Sequence, residues 1–248
     1  ETLRETKTKF SARYGQSPTK SYFMGGSTGG REALAVIQRW PADWDGAIAL
    51  YPCWNDMGAL LQGHRMNRAL SQPGAYPNQA KRKVIYDAAM AACDGLDGVV
   101  DGLISTQTAC NATFNPDVVL CPGRADTGDT CLSDAQISAL NVMNTDANFN
   151  FFLASGLQTY PGYNVWGADL GMASAATGYS LQSVVTFLAL GTVQPAWPMP
   201  ANTPYISTFL DQFLRYAVMR DVNGAVNTLS IDPENPGPYA NALSDLST

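Results

Sequence analysis

Histidine is almost absent from this sequence: His64 is the one imidazole in 248 residues. Catalytic zinc usually takes three protein ligands with histidine prominent among them, so a metal hydrolase of that kind is disfavoured. Charge is scarce too, at 15% of residues, and the balance is acidic, with 15 Lys and Arg against 21 Asp and Glu and a pI near 4.6. A nucleic-acid surface needs clustered cations, which argues against such a partner. The one basic cluster, Lys81-Arg82-Lys83, is expected to be the solvated face of a helix. No apolar run approaches the roughly 20 residues that span a bilayer, so no membrane partner is expected. No G-K-[ST] follows the glycines, which argues against nucleotide chemistry.

What is present is an apolar, loop-rich globular chain: 46% hydrophobic, with 22 Gly and 15 Pro. Its length suffices for one large domain or two smaller ones. The polar run Glu1 to Arg13 reads as a helix end broken by Gly15 and Pro18, and Ser21 to Met24 as a short buried strand closed by glycine. Arg31 to Arg39 has helical spacing, and Asp45 to Pro52 reads as a second buried strand. The result is one α/β unit with Ser27 at its turn. From residue 57 to about 240 the texture changes to amphipathic helices, at Lys81 to Ala92, Ser133 to Asn144 and Thr208 to Met219, among long loops. That stretch reads as a second, irregular domain.

Gly25-Gly26-Ser27-Thr28-Gly29 fits G-x-S-x-G, in which a serine sits on a sharp strand-to-helix turn. The turn forces close backbone approach, which glycines allow, and it leaves the following N–H groups at a helix N-terminus, where an oxyanion can be held. Thr28 N–H is the expected donor. A serine needs a general base, and His64 comes soon after the second strand, in a segment that reads as helix or loop, so it is expected to be a surface or lid residue. The base is expected outside this chain.

"CDGLDGVVDGLISTQTAC" sets Asp94, Asp97 and Asp101 among Gly95, Gly98 and Gly102. Such a loop reads equally well as an acidic turn or as a calcium site, although its spacing is not that of an EF-hand. Cys93 and Cys110 bracket it, and Cys121 and Cys131 bracket a second loop. Three pairings are possible by count; the local one, in which each bridge closes one loop, is favoured, leaving Cys53 over. Disulfides of this kind imply a secreted or periplasmic protein.

The run from Gly25 to Glu32, then "RWPADWDGAIA", "CDGLDGVVDGLI" and "CLSDAQISAL", and further on "FLRYAVMRD", together resemble the tannase and feruloyl esterase family of α/β-hydrolases, which includes mono(2-hydroxyethyl) terephthalate hydrolases. The resemblance implies an α/β protein: a partial α/β-hydrolase core at residues 1–56 carrying the nucleophile elbow, a large inserted α+β lid at 57–240, and a return towards the core at 241–248. It implies a serine esterase for small aromatic esters, with Ser27 as nucleophile and Thr28 N–H as oxyanion donor. It implies a structural calcium ion in the lid, held by Asp94, Asp97, Asp101 and the carbonyls of Val99 and Leu103. The pairs Cys93–Cys110 and Cys121–Cys131 match lid disulfides of the family.

Two departures from the family pattern stand out. The family usually carries, just before the nucleophile, a cysteine bonded to one beside the catalytic histidine, and here that position is Gly26. The family's first core strands would precede residue 1 and its catalytic Asp and His would follow Thr248, so a remaining core polypeptide is expected as partner. Phe209 falls about where the terephthalate hydrolases place an aromatic clamp, but no arginine suits their carboxylate site, which favours feruloyl or galloyl esters.

Overall fold

The computed structural model describes residues 2–172, 190–200 and 203–247. Two compact units emerge, Glu1–Asp56 and Met57–Thr248.

The first unit is a strand–helix–strand motif preceded by helix α1 (Thr2–Tyr14). Strands β1 (Tyr22–Gly26) and β2 (Gly46–Leu50) pair in parallel, from Tyr22 opposite Gly46 to Gly26 opposite Leu50, and α2 (Thr28–Arg39) connects them. The register is anchored where the strands begin. Asp45 accepts hydrogen bonds from Lys20 Nζ at 2.9 Å and Ser21 N–H at 2.8 Å, which hold its carboxyl below the usual carboxylate range. Side chains alternate along each strand. Phe23, Gly25, Ala47 and Ala49 share the face turned to α2, whereas Tyr22, Met24, Ile48 and Leu50 on the other face are exposed. The strands are therefore not buried on both sides as expected, because α2 covers one face of the pair.

The second unit is built on helices α3 (Asp56–Leu70), α4 (Gln79–Cys93), α5 (Gln107–Thr113), α6 (Asp134–Asn144), α7 (Tyr205–Gln212) and α8 (Ala240–Asp245), with a two-residue antiparallel ladder, β3 (Ala147–Asn148) and β4 (Thr159–Tyr160). Helix α6 starts where Ser133 accepts from Gln136 N–H and Gln136 returns the bond to Ser133 N–H, a reciprocal cap that ends the preceding loop. Disulfides Cys93–Cys110 and Cys121–Cys131 each close one loop. The larger core gathers Ile85, Leu132, Leu140 and Trp166, with Phe114 edge-on to Trp166 at 5.4 Å. A smaller one gathers Leu61, Phe149, Leu214 and Leu243, the last from the stretch expected to return towards the core.

The basic cluster is not a solvated face. Lys81 and Arg82 are 3% and 1% exposed, and of the three cations Lys83 alone reaches solvent, paired with Asp87. The first turn of α4 is surrounded by loops that present carbonyl oxygens, and these replace water around the two cations. Lys81 Nζ donates to Gly128 O and Cys131 O at 2.7 Å and to Asp126 Oδ1 at 3.0 Å. Arg82 donates to the carbonyls of Pro77, Leu170, Gly171 and Gly191 and to the Tyr76 hydroxyl. Lys81→Met should lower the unfolding free energy in a urea titration by about 3 kcal/mol, the low end for breaking a buried pair because Asp126 stays half exposed. Lys83→Met should change it by less than about 0.5 kcal/mol.

Candidate functional site

Ser27 stands between the last residue of β1 and the first of α2, with φ 57° and ψ −119°. A non-glycine residue adopts this conformation at a cost of about 1–3 kcal/mol and keeps it where its surroundings over-determine it. Three backbone bonds do so: Ser27 N–H donates to Leu50 O at 3.0 Å, while Ser27 O accepts from Arg31 N–H at 3.1 Å and Cys53 N–H at 3.3 Å. Glycine makes the turn sterically possible. A Cβ on Gly25 would lie 2.2 Å from Gly29 O, and one on Gly30 would lie 2.6 Å from Leu50 O. The turn thus presses β1, α2 and the end of β2 together, and the serine is left exposed at its apex.

Thr28 opens α2 and is exposed. No side chain caps this helix, so the partial positive charge of its first turn faces outward beside Ser27. Cys53, the free cysteine of the described residues, places Sγ 3.4 Å from Ser27 Oγ. Sequence reasoning left Cys53 as a remainder. The signal that finds it is strand pairing: with Leu50 opposite Gly26, the residues just after β2 must lie beside those just after β1.

His64, expected at the surface or in the lid, lies in the second unit, within the stretch read as the lid, and is not at the surface, being 2% exposed. The segment of α3 around it, from Leu60 to His64, is buried, and the imidazole Nε2 lies 3.0 Å from Ile231 O, so the ring needs no water. Burial pushes its pKa down to about 4, against a partial upward pull from the Ile231 carbonyl. A ring held this way by its own unit's backbone has the character of a structural group.

The acidic loop follows α4. Asp94 Oδ1 accepts from the N–H groups of Asp101, Gly102 and Leu103, at 3.3, 3.0 and 3.2 Å. Asp97 accepts from Val99 N–H and Asp101 from Leu103 N–H. The carboxylates thus curl the loop through backbone bonds. Among the described residues no three His, Cys, Asp or Glu side chains are gathered as a metal cluster. The donors are all oxygen on an exposed glycine-rich loop, which is the chemistry calcium prefers.

Phe209 on α7 is 41% exposed and stacks on Tyr205 at 5.9 Å, so it is not a core residue; Leu210 beside it is. Arg215, in the turn of π-helix Phe213–Val218 that follows, gives Nη2 to both oxygens of Asp211 at 3.0 and 2.8 Å and lies over Trp197 at 4.4 Å. Its charge is already paired.

The buried imidazole has a consequence for stability. Unfolded, it takes a proton near pH 6.5; folded, near 4. The unfolded chain therefore binds the extra proton between these values. This group's contribution to stability is full above pH 6.5, falls by about 3 kcal/mol as pH drops through the window, and is gone below pH 4. Denaturant titrations across this range should show the loss, and His64→Gln should flatten it.

A family model described as tannase and feruloyl esterase matches residues 1–235. An uncharacterized esterase of Agrobacterium fabrum is 33% identical over 95% of this chain and 40% of its own length. The mono(2-hydroxyethyl) terephthalate hydrolase of Piscinibacter sakaiensis is 31% identical over 64% of this chain and 28% of its own. The crystal structure of feruloyl esterase B from Aspergillus oryzae superposes with a TM-score of 0.71 at 22% identity, covering 99% of this chain and 43% of that one. The chain thus spans less than half the length of these relatives. With the serine turn, the acidic loop and both disulfide loops inside the matched span, this chain belongs to the tannase and feruloyl esterase family.

Proposed function

We propose that this chain is the nucleophile-bearing part of a serine carboxylic ester hydrolase for esters of aromatic acids, of feruloyl or galloyl type. One observation carries the proposal: an exposed serine in a strained turn, held at both backbone ends against an uncapped helix N-terminus. Ser27 Oγ attacks the ester carbonyl, and a histidine oriented by an aspartate, both supplied by core polypeptide outside this chain, takes the hydroxyl proton. Thr28 N–H donates to the oxyanion, the alcohol leaves on taking that proton back, and water then releases the acid.

The second unit, in this reading, is the lid inserted in the core, and the stacked pair Tyr205 and Phe209 offers the aromatic acid a surface. A terephthalate monoester is the second choice, since Arg215 is committed to Asp211 and is not free to take a second carboxylate. The oxygen-rich loop takes calcium in a structural role, through Asp94, Asp97, Asp101 and the carbonyls of Val99 and Leu103. Two disulfides suit a secreted or periplasmic protein. No helix of the described residues is long and apolar enough to cross a membrane.

The test is intact mass with a fluorophosphonate, which labels activated serines. The isolated chain should stay unlabelled and gain one adduct on Ser27 once polypeptide carrying the histidine is supplied. Ser27→Ala should abolish the adduct and cut hydrolysis of methyl ferulate by at least about 10³-fold. No adduct in the presence of that polypeptide would leave a non-catalytic relative. For the loop, saturating calcium should raise Tm by about 5 °C relative to EDTA. A gain that survives Asp97→Asn would reject the assigned ligand set.

A further inference from the structure

The turn that follows β2 bends sharply back towards the serine. Tyr51 has φ 34°, a conformation that a bulky residue adopts only under constraint. Its ring tip lies over Gly26: a Cβ built there would be 2.6 Å from the Tyr51 hydroxyl oxygen. The space that a side chain at position 26 would take is thus used by a residue from the β2 end. Two residues on, Cys53 is tied back to Ser27 twice, by its own N–H at 3.3 Å to Ser27 O and by its sulfur at 3.4 Å from Ser27 Oγ. The contact is therefore held by backbone as well as by side chain. The charged groups on the flanking elements, Arg31 of α2 and Asp56 at the start of α3, are paired with each other at 2.8 Å.

We propose that Cys53 is a positioning residue for the nucleophile: its thiol S–H donates to Ser27 Oγ, fixing the serine rotamer and leaving the hydroxyl proton directed to the base. The proposal rests on Ser27 being the nucleophile. A serine hydroxyl has one proton to give and two lone pairs, so a donor on one lone pair restricts where the proton can point. A thiol is a weak donor that restrains the hydroxyl and is readily given up when Oγ moves to attack. The bond from Cys53 N–H to Ser27 O keeps the cysteine beside the serine.

In the preparation that carries the base, Cys53→Ala should slow fluorophosphonate labelling of Ser27 by about five- to tenfold, and Cys53→Ser should restore it, since a hydroxyl can still donate. Labelling at an equal rate in wild type and Cys53→Ala overturns the proposal. No labelling of wild-type Ser27 in that preparation would reject the nucleophile itself, and the positioning role with it.

Discussion

The carbonyl of Leu50 is the fixed point of the first unit. It accepts the Ser27 N–H at 3.0 Å, extending the parallel ladder by one bond beyond β1, and it lies where a side chain on Gly30 would have to go. Strand, turn and helix can close on it only if the chain carries no Cβ at that point. The same closure drives Ser27 into its left-handed conformation and leaves its hydroxyl at the apex. Exposure of the serine and the open helix end beside it are thus consequences of one crowded backbone contact.

The second unit solves a different problem. Its loops are long, and loop backbone carries carbonyls that need donors when buried. Two cations of α4 supply them. Lys81 and Arg82 between them satisfy six main-chain carbonyls, drawn from both sides of the chain's midpoint, and so join segments that share no ladder. A chain with few charges has spent two of them inside. Arg215 follows the same logic, committed to Asp211 and stacked on Trp197. For that reason Lys81, Arg82 and Arg215 hold the fold together here.

The α/β unit was legible because its signals are local: glycine spacing, a helix-period run and two short apolar strands. The bare face of the sheet was not, since an apolar strand reads the same whether one or both of its faces are covered. The basic triplet misled for a related reason. Charge runs usually face solvent, and nothing within the triplet says that the carbonyls of Gly128, Cys131, Leu170, Gly171 and Gly191 will be brought to it. His64 is a further case: its burial depends on a carbonyl 167 residues away.

By itself the sequence determined the serine turn, its place between strand and helix, the acidic loop and the family pattern, because each is written in residues close together along the chain. Tertiary structure alone decided which charges are buried, that Arg215 is occupied, and that the sulfur of Cys53 meets the hydroxyl of Ser27. Those outcomes depend on which distant atoms arrive at a side chain, and it is the parallel pairing of β1 with β2 that sets Ser27 beside Cys53 across a separation of 26 positions.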